Sequence, residues 1–335
     1  MTNPTTNILG AKHWVGLSPE VTPGTPLAAV LNLFVDESLE MNANPTPIKR
    51  KSYLGTGVEL PSRAGWIKPT GKVSVEAMAS QPHPWYWLLG HVTSTQPAVS
   101  TDPTVYLHTI TDDALEATPQ NGGDSVSLTA QGNLVFDQAT QPGVKLSKIK
   151  LIVTPGEVAK LEIEWMALNH TPGATLGTMP AAVTDVLVCT SVGIKVAGSS
   201  VLNVDSLDYE YTVNHEQLPT LIAGGTGTPQ VIRRKDPAKG TGSIKWLDFP
   251  VTQLAAFLAQ TPFSLVVELD GANISHSYNK FLRLTLPACQ YTGGLTPQLG
   301  ASVVTGDANF ESFFDTTTSQ QIKVEAQNTL VTITT

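Results

Sequence analysis

The feature that most constrains this chain is an internal duplication. A run at residues 31–41 containing Ser38-Leu39-Glu40 is echoed at 201–211 by Ser206-Leu207-Asp208. Each run is followed by a polar stretch of about thirty residues, 42–70 and 213–241, with no helical or strand period. Each stretch ends in a glycine that opens a short strand, Gly71-Lys72-Val73-Ser74-Val75-Glu76-Ala77 in the first copy and Gly242-Ser243-Ile244-Lys245-Trp246 in the second. The alternation of Val73, Val75 and Ala77 predicts a half-buried strand. A proline-led helix is then expected in both copies. Pro84 precedes Trp85, Leu88, Leu89 and Val92, and Pro250 precedes Val251, Leu254, Ala255 and Leu258, the two sets lying 166 positions apart. Each set is one apolar stripe at helical spacing, with proline in the tolerated first turn.

A chain that repeats its elements must build the same unit twice, and 335 residues suit two domains better than one core. Residues 169–182, rich in Thr, Pro and Gly, read as a linker, so the expected division is 1–180 and 181–335. The expected fold is mainly β: two tandem sandwich or half-barrel domains, each with one short flanking helix and a long inter-strand loop. The clearest hairpin flanks Thr154-Pro155-Gly156-Glu157. Centred on Gly156, it sets Leu151 against Leu161, Ile149 against Ile163, Lys150 against Glu162 and Lys148 against Glu164. One face is then apolar and the other carries opposite charges, as a sheet with one buried side requires. In the second copy, residues 281–286 alternate in the same way, with 301–310 as the expected partner, and 321–335 read as a terminal strand or arm.

Composition removes several function classes. Charged residues make up 14% of the chain and the net charge is −8, which disfavours a surface that neutralises phosphates. Cys189 and Cys289 are far apart and form no CxxC, so two unpaired buried thiols are expected. Residues 1–10 lack the pattern of a signal peptide and no window reaches the ~18 apolar residues of a membrane span. The expectation is a soluble protein of a reducing cytoplasm, with no membrane partner.

No candidate catalytic or metal motif survives scrutiny. Gly224-Gly225-Thr226-Gly227 is followed by Pro229 and more loop instead of a helix with a lysine, so it reads as a loop tip. The seven histidines form no HExxH, and they read as surface or capping residues. Asp112, Asp113 and Glu116 read as a solvated turn, and Trp85 as a core residue. No GxSxG elbow occurs. Two basic triplets stand out: Lys49-Arg50-Lys51 and Arg233-Arg234-Lys235 fall in the two long polar stretches of an acidic chain. Long loops in matched positions suggest contacts between subunits.

The stretch Gly16-Leu17-Ser18-Pro19-Glu20-Val21-Thr22-Pro23-Gly24-Thr25-Pro26, the Ser38-Leu39 strand, the long loop, the Gly71 strand and the Pro84 helix together resemble the N-terminal half of siphophage tail tube proteins. The Gly143-Val144-Lys145-Leu146-Ser147-Lys148-Ile149 strand and its hairpin partner resemble the same family. That resemblance implies a non-enzymatic structural subunit without a cofactor, whose inner sheets join into a barrel around a channel and whose rings stack through the long loops. Members with one domain form six-fold rings, and a two-domain chain implies three chains in a pseudo-six-fold ring. The implied partners are further copies of the chain, a tape-measure protein and tail-end proteins. The resemblance also implies that phage DNA passes the lumen without specific binding, and that the protein is assembled in the host cytoplasm into the virion tail. The competing expectation is a soluble β-sandwich carbohydrate-binding or adhesin module displaying Trp14 and Trp66.

Overall fold

The computed structural model describes residues 14–27, 31–33, 35–43, 45–48, 63–133, 138–174, 176, 185–190, 192–218, 228–248, 251–299 and 304–334. Across them one succession of elements occurs twice. The first comprises β1 (Trp14–Pro19), β2 (Leu31–Leu33), β3 (Val35–Asn42), β4 (Pro45–Ile48), β5 (Arg63–Ile67), β6 (Thr70–Glu76) and α1 (His83–Leu89). An extra hairpin follows, β7 (Gly90–Thr95) with β8 (Tyr106–Asp112), and then β9 (Leu128–Asn133), β10 (Gln138–Val153), β11 (Lys160–Met166) and β12 (Thr171–Pro172). The second runs β13 (Val192–Val196), β14 (Ser199–Ser200), β15 (Val204–Thr212), β16 (His215–Leu218), β17 (Val231–Arg234), β18 (Lys239–Trp246) and α2 (Val251–Leu258). It ends with β19 (Phe263–Ser275), β20 (Tyr278–Leu299), β21 (Val304–Phe313) and β22 (Lys323–Asn328). Among the described residues the second half has no counterpart of the β7–β8 hairpin.

The repeat extends to register. Leu39 faces Val73 and Met41 faces Gly71 in the first half, as Leu207 faces Ile244 and Tyr209 faces Gly242 in the second. On the far side of the same strands, Gly71 faces Trp165 as Gly242 faces Phe310. Each half therefore holds a four-stranded antiparallel layer, β3-β6-β11-β10 and β15-β18-β21-β20. Strand β10 then pairs with β15, which fuses the two layers into one eight-stranded sheet.

Strands β10 and β20 are long because each leaves this sheet to serve a second one. Their N-terminal parts pair with β9 and β19, and both ladders shift register at matching places, between Gln141 and Val144 and between Phe263 and Leu265. Pro142 and Pro287 occupy the shifts, where a ladder can spare a donor. The second layers are β2-β1-β9-β10-β12 and β13-β19-β20-β22-β8-β7. Traced from partner to partner, no circuit of ladders closes among the described strands, so the sheets are open. Their apolar faces meet in a cluster that includes Leu17, Val73, Trp87, Ile149, Trp165, Tyr209, Leu284 and Phe310.

The Leu146–Lys160 hairpin pairs in the expected register, Leu151 with Leu161, Ile149 with Ile163, Lys150 with Glu162 and Lys148 with Glu164. Four other expectations need correction. Helix α1 stops at Leu89 because Gly90 takes a left-handed φ of 88°, and Val92 lies in β7. In α2 the predicted stripe is not the buried face: Leu254 packs with Ala256 and Phe257, while Val251 and Leu258 are 70% and 73% exposed. The long polar stretches are not free of structure, since each contains a two-stranded hairpin, β4–β5 and β16–β17. Their strands are four or five residues long, and Pro45 and Pro47 hide the alternation in the first. Finally, residues 281–286 pair with β19 and β22, and β21 instead takes the later part of β20.

Candidate functional site: the seam between the halves

The β10–β15 ladder runs from Lys148 opposite Thr212 to Val153 opposite Leu207. Alternation sorts its side chains by face. Ile149, Leu151 and Val153 meet Tyr211, Tyr209 and Leu207 on the buried side. On the other side Lys148 Nζ lies 2.9 Å from Glu164 and 3.4 Å from Glu210, one carboxylate from each half, and Lys150 lies 3.1 Å from Asp208. Partial burial works against the Lys148 charge, yet Glu164 and Glu210 outweigh it and hold its pKa above the usual lysine value.

Buried polar groups lock the halves together below this ladder. Tyr211 donates from its hydroxyl to Asp112 Oδ2 at 2.7 Å, and Arg234 forks onto the same carboxylate at 3.2 and 3.3 Å. Burial opposes the Arg234 charge, but Asp112 more than compensates and raises its pKa. Nearby, Asp124 Oδ1 lies 3.2 Å from His215 Nε2 and Asp124 Oδ2 lies 3.1 Å from Lys145 Nζ. Burial raises the cost of the Asp124 charge, and His215 with Lys145 overcomes it, so its pKa sits well below the carboxylate range. Gln217 donates to the carbonyls of Pro69 and Ala167, both at 2.8 Å. Asp112 and Asp124 come from the segment around the inserted hairpin, while His215, Gln217 and Arg234 come from the β16–β17 arm. The insertion thus anchors the second arm at its base.

These contacts revise the polar expectations. Asp112 and Asp113 are not a solvated turn: they are 3% and 0% exposed, and Asp113 accepts from the backbone N–H groups of Gln120, Asn121 and Gly123. His83, His108 and His215 are buried instead of lying on the surface. Arg233 and Lys235 are exposed, but Arg234 is committed to Asp112, so the second triplet offers two rim cations where three were expected. Lys49, Arg50 and Lys51, like the loop 224–227, fall outside the described residues. Cys189 and Cys289 are free, buried thiols, and burial pushes both pKa values up. Trp14 is only 6% exposed and Trp66 partly buried, so these two do not form the displayed aromatic platform of a sugar-binding module. Among the described residues no cluster of His, Cys, Asp and Glu could hold a metal ion, and no helix is long and apolar enough to cross a membrane.

The sequence signalled β10 and β15 as strands but not their pairing, and nothing local announced Asp124, His215 or Lys145 as partners.

The described halves are thus duplicated open sheets joined edge to edge, with buried polar groups spent on locks between them. The family model described as phage tail tube protein matches residues 10–312. The chain belongs to that family. None of the curated proteins compared with it matches.

Proposed function

We propose that the chain is a non-enzymatic subunit of the tube of a long, non-contractile phage tail, built from two tandem tube domains, 1–180 and 181–335. Three chains make a pseudo-six-fold ring, and rings stack into the conduit through which DNA is ejected into the host. The observation that carries this reading is the β10–β15 seam, where one half already receives the next through an edge that both halves possess. Among the described residues the equivalent edges at the two ends of the eight-stranded sheet have no partner: β3 pairs only with β6, and residues 293–299 of β20 pair only with β21. An open edge is a template for a further strand. Repeating the seam sets β20 of one chain beside β3 of the next, and three such eight-stranded sheets close a barrel.

The polar face of the sheet would then line the lumen. Lys72, Lys148 and Lys150 are each paired there with carboxylates, which leaves little free cationic charge to hold phosphates. Stacking contacts fall to the two arms, with Lys49, Arg50, Lys51, Arg233 and Lys235 facing acidic partners on the adjoining ring. A tape-measure protein inside the tube and tail-end proteins complete the set of partners, and assembly takes place in the host cytoplasm. Electron microscopy of the assembled protein tests the reading: three chains per ring are expected, and six chains per ring would overturn it.

A further inference from the structure

The residues that lead into β13 do more than connect the halves. Leu187 donates its N–H to the Ala77 carbonyl at 3.0 Å and accepts from the Ala159 N–H at 2.9 Å. Cys189 donates to Glu157 and accepts from Gly156, and single bridges join Val186 to Met78 and Val188 to Val158. Leu187 is fully buried. This lead-in segment of the second half is therefore a short strand that seals the sheet of the first half, just beyond the ends of β6 and β11.

The same place exists in the second half. Matching Val73 with Ile244 and Ile163 with Ala308, as their ladders do, puts the counterparts of Ala77 and Ala159 at Asp248 and Val304. No described residue of the chain fills that slot. Leu247 beside it is 51% exposed. A cavity of about 580 Å³ opens next to it, lined by Val196, Leu202, Trp246, Asp248, Phe263 and Tyr291. Trp246 Nε1 and Tyr291 Oη, on side chains 2% and 1% exposed, have no hydrogen-bond partner. Buried donors of this kind ordinarily find an acceptor.

The register names the occupant. Leu17 faces Ala130 as Val196 faces Leu265, so β1 and β13 hold the same place, 179 positions apart. The same interval carries Val186-Leu187-Val188-Cys189 onto Asn7-Ile8-Leu9-Gly10. Inside the chain, the donor of the sealing strand is the half that follows across the seam. Beyond β20 the half that follows belongs to another chain. We propose that residues 7–10 of one chain add as a short strand to the preceding chain, between the ends of β18 and β21, with Ile8 taking the part of Leu187. The added strand brings an apolar side chain to the slot and backbone carbonyls to the neighbourhood of the two orphan donors. This inference rests on the ring reading and extends it from sheet edges to an exchanged arm.

Three forms of the full protein test it: wild type, a variant lacking residues 1–10, and Ile8→Asp. The two variants should melt at the wild-type temperature yet need at least ten times the protein concentration to form rings. A fourth form, Ile8→Cys with Asp248→Cys, should give chains linked to one another on oxidation, read on a non-reducing gel, while the buried native thiols stay out of reach. Rings that persist unchanged without residues 1–10, or a disulfide closed within one chain, would overturn the exchange and leave the tube reading standing. A wild-type protein that forms no rings at any concentration would overturn both.

Discussion

Trp165 lies across Gly71 so closely that a Cβ built on the glycine would fall 2.1 Å from the indole ring, and Phe310 covers Gly242 in the same way at 2.2 Å. The two pairs occupy the same rung of the two halves. An aromatic ring laid over a cross-strand glycine fills the space that the missing side chain leaves, and here it does so twice in one core.

Alanine at either glycine should therefore be costly although it is the smallest possible change. Trp165 and Phe310 are each 1% exposed and have no room to swing aside. Gly71→Ala or Gly242→Ala is expected to destabilise the fold by about 2 kcal/mol, in the range of overpacked cores. Chemical denaturation would measure it, and a wild-type midpoint in both variants would contradict the packing argument.

Arg234 and Asp112 should behave as a coupled pair. Arg234→Gln leaves the Asp112 carboxylate buried with only Tyr211 and the Ala114 N–H as donors, and is expected to cost about 3 kcal/mol. Asp112→Asn in the same background removes the stranded charge and should recover part of that loss. A double-mutant cycle from denaturation curves checks the coupling, and strictly additive single effects would count against the pair.

Stability should fall as the solution is acidified below neutrality. Burial, helped by the neighbouring His108, lowers the His83 pKa from 6.5 to about 4. The folded state thus keeps His83 neutral while the unfolded chain takes up a proton below pH 6.5, so the contribution is intact above 6.5 and is lost progressively toward 4. The full difference corresponds to about 3 kcal/mol. His83→Gln should flatten the melting temperature across that window, and a profile as steep as wild type would assign the effect elsewhere.

Charge reversal on the arms must spare Arg234. Replacing Lys49, Arg50, Lys51, Arg233 and Lys235 by Glu is expected to leave the fold and its melting temperature in place while tube formation falls, because each proposed rim pair would contribute only ~0.5 kcal/mol but would recur around every ring. Sedimentation of tubes at several salt concentrations provides the measurement. Polymerisation at the wild-type level would make these residues mere solvated charge.

What could be seen in the sequence was local. The Leu151–Leu161 register followed from charge and apolar alternation across a four-residue turn, and the two glycine-led strands announced the repeat. What was hidden was set by tertiary contacts. The constant interval of 166 positions between the helices passes over the β7–β8 hairpin, which lies after α1 and shortens the interval for every later strand. Buried Asp112 and Asp113 looked like turn residues because their partners, Tyr211 and Arg234 or a loop of backbone N–H groups, carry no periodic signal. The candidate site suffered most: β10 and β15 read as separate strands, and a seam between halves leaves no trace in either. The apolar residues of α2 were visible, but which of them face the core depends on what the sheet beneath already fills.

The inserted hairpin makes the two halves unequal: β8 clasps β22 of the second half, and among the described residues the second half has no matching hairpin to offer. In the proposed ring such chains would count in twos. No odd number of halves could enter it, and a chain displaced by one half would set a hairpin where its neighbour has none. The hairpin would then give the doubled subunit a sense of phase, marking every second position around the proposed channel and setting how one chain follows another.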